Sequence, residues 1–130
     1  MASGGCLCGA VRYETEAPLR DVVFCHCAQC RRQTGLYYAA TAAPWESLHL
    51  TGADAIRWFA ASDAAKRGFC GTCGSALFWK PVGKPHVAIL VGSLDDASDL
   101  GRNCHIFTDA KGCYYDLPDD GLPRLPGDLP

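Results

Sequence analysis

Seven of the nine cysteines in this 130-residue chain fall into three tight clusters. Two are pairs followed by glycine, Cys6-Leu7-Cys8-Gly9 and Cys70-Gly71-Thr72-Cys73-Gly74. The third is a triplet, Cys25, Cys27 and Cys30, with His26 inside it. The chemistry such spacing suits is metal ligation. In an extended segment residues i and i+2 point to one face, so Cys6 and Cys8 reach a single ion. A tight turn brings Cys70 and Cys73 together in the same way, and Gly9, Gly71 and Gly74 are expected to supply positive φ angles and amides aimed at the thiolates. The two pairs together offer the four sulfurs of a closed structural zinc site. That site would tie the N-terminus to the middle of the chain and contribute directly to folding.

The triplet offers three sulfurs and a vacant fourth position, which is how catalytic zinc sites are built. Alternatively Cys104, His105 or Cys113 closes it as a second structural site, and spacing does not choose between the two. The expectation is therefore two zinc ions per chain. Arg31 and Arg32 follow the triplet directly and either hold its thiolates ionised, bind an anionic substrate or form a solvated basic edge. His26 and His105 are the candidate donors to a substrate oxygen.

The elements that must position these clusters read as short strands. Residues 9–16 alternate, with Val11 and Tyr13 on one face and Arg12 and Glu14 on the other. Further strands are predicted over 22–24, 37–43, 47–51, 56–59, 66–69, 76–79 and 87–91, most of them bounded by Gly or Pro. Residues 28–33 read as a helical turn ended by Gly35, and 95–100 as a second turn. Short strands at such intervals predict a mainly β domain over residues 1–118. Residues 119–130 are rich in Pro, Gly and Asp and read as a surface or disordered tail.

A net charge of −2 gives no bulk basic field for nucleic acid. No apolar run approaches the roughly 20 residues of a membrane span. No basic region followed by an apolar stretch opens the chain. These features predict a soluble cytoplasmic protein whose cysteines bind metal rather than pair as disulfides.

Four stretches resemble a known family: Gly5 to Glu14, Cys25 to Arg31, Phe69 to Trp79 and His105 to Lys111. On them the chain resembles the glutathione-dependent formaldehyde-activating enzymes, a family that also includes centromere protein V. The resemblance implies a β-tent of stacked antiparallel sheets. It implies one zinc on Cys6, Cys8, Cys70 and Cys73 and a second on Cys25, Cys27 and Cys30. It also implies a carbon–sulfur lyase activity that joins glutathione to formaldehyde. Where the family tends to have Lys-x-Pro-Trp this chain has Lys111-Gly112-Cys113-Tyr114, so the substrate is the least determined part of the expectation. Two other readings stand beside it. One is a non-enzymatic, zinc-stabilised binding module of the same family. The other is a zinc-containing methionine sulfoxide reductase, for which Cys104 and Cys113 are the only thiols outside the clusters.

Overall fold

A computed structural model describes residues 1–130. Ten strands form two sheets. The smaller sheet holds β1 (Ala2–Gly5), β2 (Arg12–Thr15) and β5 (His49–Thr51), in the order β1-β2-β5. The larger contains β3 (Val22–Cys25), β4 (Tyr38–Pro44), β6 (Ile56–Phe59), β7 (Ala65–Cys70), β8 (Ala76–Pro81), β9 (His86–Leu90) and β10 (Arg102–Ile106). Its order is β10-β3-β4-β9-β8-β7-β6. All pairs are antiparallel except β10 on β3, which is parallel. The predicted mainly β architecture is present.

The alternation read in residues 9–16 is what lets the sheets stack. Tyr13 of the smaller sheet and Val11 just before β2 are buried against Leu77, Phe78, Val87 and Ile89 of the larger one, while Arg12 and Glu14 face solvent. The Tyr13 and Phe78 rings meet edge-on, 5.6 Å apart, an arrangement favoured by their quadrupoles. Cys6 and Cys70 belong to this same core, so the paired knuckles sit at its margin rather than on a remote loop.

The one α-helix, α1 (Ala28–Thr34), carries the end of the triplet. Cys27 caps its N-terminus, accepting the Cys30 amide on its sulfur, and Gly35 ends it with φ of 86°. Four 3-10 turns complete the helical content. The turn expected at 95–100 is not helical: a 3-10 turn occupies Val91–Ser93 instead, and 97–100 make a single hydrogen-bonded turn closed by Leu100 N–H to Ala97 O. Two strands go beyond the predicted set, β1 and β10. The segment after 118 makes backbone hydrogen bonds to the end of β10. Leu125 N–H donates to His105 O, His105 N–H to Pro123 O and Phe107 N–H to Gly127 O, which lays the segment along β10.

Candidate metal centres and the adjoining cleft

The sulfurs of Cys6, Cys8, Cys70 and Cys73 all lie within 4.8 Å of one another. Cys6 Sγ to Cys8 Sγ is 3.6 Å and Cys8 Sγ to Cys70 Sγ is 3.7 Å. Four thiolates at ~2.3 Å from one zinc are about 3.8 Å apart along each edge of the tetrahedron, so the donors present fit that ion. Backbone amides support the sulfurs: Val11 N–H points at Cys6 Sγ (3.2 Å) and Thr72 N–H at Cys70 Sγ (3.4 Å). The Ser75 hydroxyl lies 3.2 Å from Cys73 Sγ, and its hydrogen bond holds that thiol down to about 5. Burial raises Cys6, yet the Val11 amide with Cys8 and Cys70 brings it below its ordinary value. Cys8, crowded by the other sulfurs, is pushed up to about 11 instead, and a cation needs all four as thiolates.

The glycines act differently from the expectation. Gly9 and Gly74 do adopt positive φ, 83° and 80°, but their amides donate to the carbonyls of Cys6 and Cys70. Gly71 has no positive φ. It is small because a Cβ there would come within 2.8 Å of Arg57 Cγ, and its amide donates to Ala55 O.

Cys25, Cys27 and Cys30 form the second cluster, again with all sulfurs within 4.8 Å. Strand β3 delivers Cys25, the cap position holds Cys27 and the first turn of α1 brings round Cys30, which is buried. Hydrogen bonds from Cys25 and Cys30 hold Cys27 down to about 2, while the same contacts push Cys25 up. No Cys104, His105 or Cys113 joins the cluster. Cys104 is buried with Val23 and Ile106 as a small core residue, and Cys113 is exposed.

The cation on this cluster is not Arg31 or Arg32. It is Arg67, buried on β7, whose Nη1 and Nη2 each lie 3.7 Å from Cys30 Sγ. The same guanidinium donates to Gln33 Oε1 (3.0 Å) and Gln29 Oε1 (3.1 Å) and lies over the Tyr38 ring. The Tyr38 hydroxyl in turn donates to Gln33. Arg67 Nε is buried without a partner. An open cleft of about 490 Å³ begins here, lined by Gln29, Arg32, Gln33, Phe59, Arg67 and Phe69 among others. Arg32 therefore faces the cleft, as an anion-binding residue would.

His26 and His105 are both fully buried, and they face each other rather than the sulfurs. His26 Nε2 is 2.9 Å from His105 Nδ1, and its Nδ1 is 2.7 Å from the Tyr115 hydroxyl. Burial presses the His26 ring down to about 4, so it is neutral near neutral pH. Neither ring is therefore placed as the donor to a substrate oxygen that the sequence suggested; the parallel β10–β3 register brings the two together instead.

Residues 1–110 match the family described as glutathione-dependent formaldehyde-activating enzyme. The chain belongs to that family. Its fold is also similar to that of a Rhodobacter sphaeroides protein of known crystal structure, with 24% sequence identity, a TM-score of 0.63 and coverage of 95% of this chain and 98% of that one. In this member of the formaldehyde-activating family, the two sulfur clusters are two places that could hold a metal ion. Nothing in the fold is a helix long and apolar enough to cross a membrane.

Proposed function

We propose that this protein is a carbon–sulfur lyase that adds a low-molecular-weight thiol to a small aldehyde, or reverses that addition, at Cys25, Cys27 and Cys30. Glutathione and formaldehyde are the first pair to test. The observation that carries this reading is a three-sulfur cluster that no fourth protein donor joins, contacted at Cys30 by Arg67, a residue that also lines an open cleft. Family membership supports it.

A zinc ion held by the three thiolates supplies, when bound, a Lewis-acid centre that keeps an incoming thiol ionised. The chain's own residues set the conditions around it. Arg67 offsets the excess negative charge of three thiolates, and its bonds to Gln29 and Gln33 fix its position on Cys30. The cleft offers apolar surface from Phe59 and Phe69 and a positive charge from Arg32, which suits a small acidic thiol. In the addition the sulfur bonds to the carbonyl carbon and the thiol proton ends on the former carbonyl oxygen, with no change of oxidation state. The paired knuckles of Cys6, Cys8, Cys70 and Cys73 take the structural role. All nine cysteines are unpaired, which suits the reducing cytoplasm.

Exchange NMR on glutathione and formaldehyde, with and without protein, tests the reading. The expected result is faster interconversion of free and adducted thiol, lost in Cys27→Ser. Rates equal to the uncatalysed control across several thiols and aldehydes would reject it and leave the zinc-stabilised binding module.

A further inference from the structure

The hydrogen bonds around His26 do not end at its neighbour. They form one unbroken chain: Tyr115 hydroxyl, His26 Nδ1, His26 Nε2, His105 Nδ1, His105 Nε2 and Asp120 Oδ2, with gaps of 2.7, 2.9 and 2.8 Å. The side chains of His105 and Asp120 are 1% and 9% exposed, so the far end is shielded. Tyr115 and Asp120 both lie beyond residues 1–110, the part of the chain that the family match covers.

Direction follows from counting hydrogens. Asp120 is an acceptor, its carboxyl held below its ordinary range by the His105 hydrogen bond. His105 therefore carries its proton on Nε2. Its Nδ1 then accepts from His26 Nε2–H, and His26 Nδ1 accepts from the Tyr115 hydroxyl. Each donor is used once and each acceptor is filled. In the reverse direction the Tyr115 hydroxyl would accept from His26, and its own hydrogen would have no protein acceptor, since the other group that reaches it, the Gly112 backbone amide, is itself a donor.

The chain grips the loop that bears the triplet. His26 sits between Cys25 and Cys27, its amide donates to Ile106 O (3.0 Å), and its ring is stacked on Tyr115 and packed at a tilt against Tyr37 and His105. Its backbone cannot rotate without breaking that packing, so fixing the ring fixes the residues on either side.

We propose that Asp120 is a positioning residue for the three-cysteine loop, acting through His105 and His26 in a directed hydrogen-bond chain that ends on Tyr115 and holds the loop from the side opposite its thiols. This rests on the reading above that the triplet binds metal. Residues of the C-terminal segment are then part of the site's support, as outer-shell partners are in other metal centres.

Two measurements on the full chain test it. In protein labelled with nitrogen-15 histidine, both rings should show a protonated Nε2 and an unprotonated Nδ1. A protonated Nδ1 on His26 would overturn the proposed direction. The second measurement is zinc release to a chromophoric chelator from the triplet, followed against release from the four-cysteine site. Asp120→Ala and Tyr115→Phe should each speed release from the triplet, by roughly 10-fold on the scale of outer-shell substitutions, and leave the other site unchanged. Tyr115→Phe keeps the whole C-terminal segment in place, so its effect cannot come from a loosened tail, and it serves if Asp120→Ala folds poorly. Asp120→Asn, which keeps an acceptor oxygen, should restore most of the retention lost in Asp120→Ala. If Tyr115→Phe releases zinc like the wild type and Asp120→Ala leaves the His26 tautomer unaltered, the segment is merely stapled on and the proposal fails. A chain that never holds zinc at the triplet would fail the metal reading instead, with the tautomers still deciding the direction.

Discussion

Arg67 places both terminal nitrogens 3.7 Å from the sulfur of Cys30, a residue 37 positions earlier in the chain. A buried arginine is expensive unless its charge is matched, and here the match is a sulfur cluster that becomes more negative as it ionises. The Gln29 and Gln33 oxygens accept from the same two terminal nitrogens, while its Nε is left without a partner. Such an orphan is tolerated where the rest of the group is held for another purpose.

Arg67→Ala should therefore weaken metal binding at the triplet by tenfold or more, about 1.4 kcal/mol per factor of ten, and leave the four-cysteine site intact. Arg67→Lys should recover part of the loss, since it restores a charge without the two-pronged geometry. Competition with a chelator, using cobalt as a coloured substitute, reads both. Equal affinity in wild type and Arg67→Ala would show that the guanidinium only fills space.

Much of this architecture was legible in the residues. The alternation of Val11 to Glu14 and the Gly and Pro punctuation identified most strands, and cysteine spacing alone divided the sulfurs into the two groups that the fold assembles. What was not legible depends on partners far away. Strand β1, Ala2–Gly5, has no β-branched or aromatic residue; it exists because β2 pairs with it and because Gly4 lets Tyr13 and Ser93 come within the space of a Cβ. Strand β10 reads as polar, and only its parallel pairing with β3, some eighty residues earlier, makes it a strand and brings His105 to His26. Arg67 gave no signal at all, since a lone arginine in a short strand normally faces solvent.

A glycine distant from both histidines and from the triplet tests the fold by itself. Gly52 has φ of 75°, and a Cβ on it would fall 1.8 Å from Ala10 O. Gly52→Ala must both strain the backbone and push the chain apart beside Val11, at a cost of at least ~1–3 kcal/mol from the strain alone. The expected outcome is a lower melting temperature with the metal content of the folded fraction unchanged. An unshifted melt would mean that the turn after β5 relaxes freely.

The two sulfur clusters should separate by what breaks when each is cut. Wild-type protein purified without chelator should carry two zinc ions per chain, and a fixed ratio of one that added zinc cannot raise would sink the pair of sites. Cys6→Ser, Cys8→Ser, Cys70→Ser and Cys73→Ser each remove a thiolate from a closed set whose binding energy is also folding energy, on the order of 10 kcal/mol or more. That rivals the whole stability of a domain, about 5–15 kcal/mol. Cys6 and Cys70 are also packed in the main core, between the two sheets. These variants should accumulate unfolded or aggregated. Cys25→Ser, Cys27→Ser and Cys30→Ser cut a cluster outside the main core, where β3 keeps its pairing with β4 and β10 whatever the sulfurs do. They should stay folded, keep one zinc and lose the exchange activity. Thermal melts, zinc content and the exchange assay on all seven variants decide the matter. Equal collapse in both groups would make the triplet a second structural centre, and the catalytic reading would fall with it.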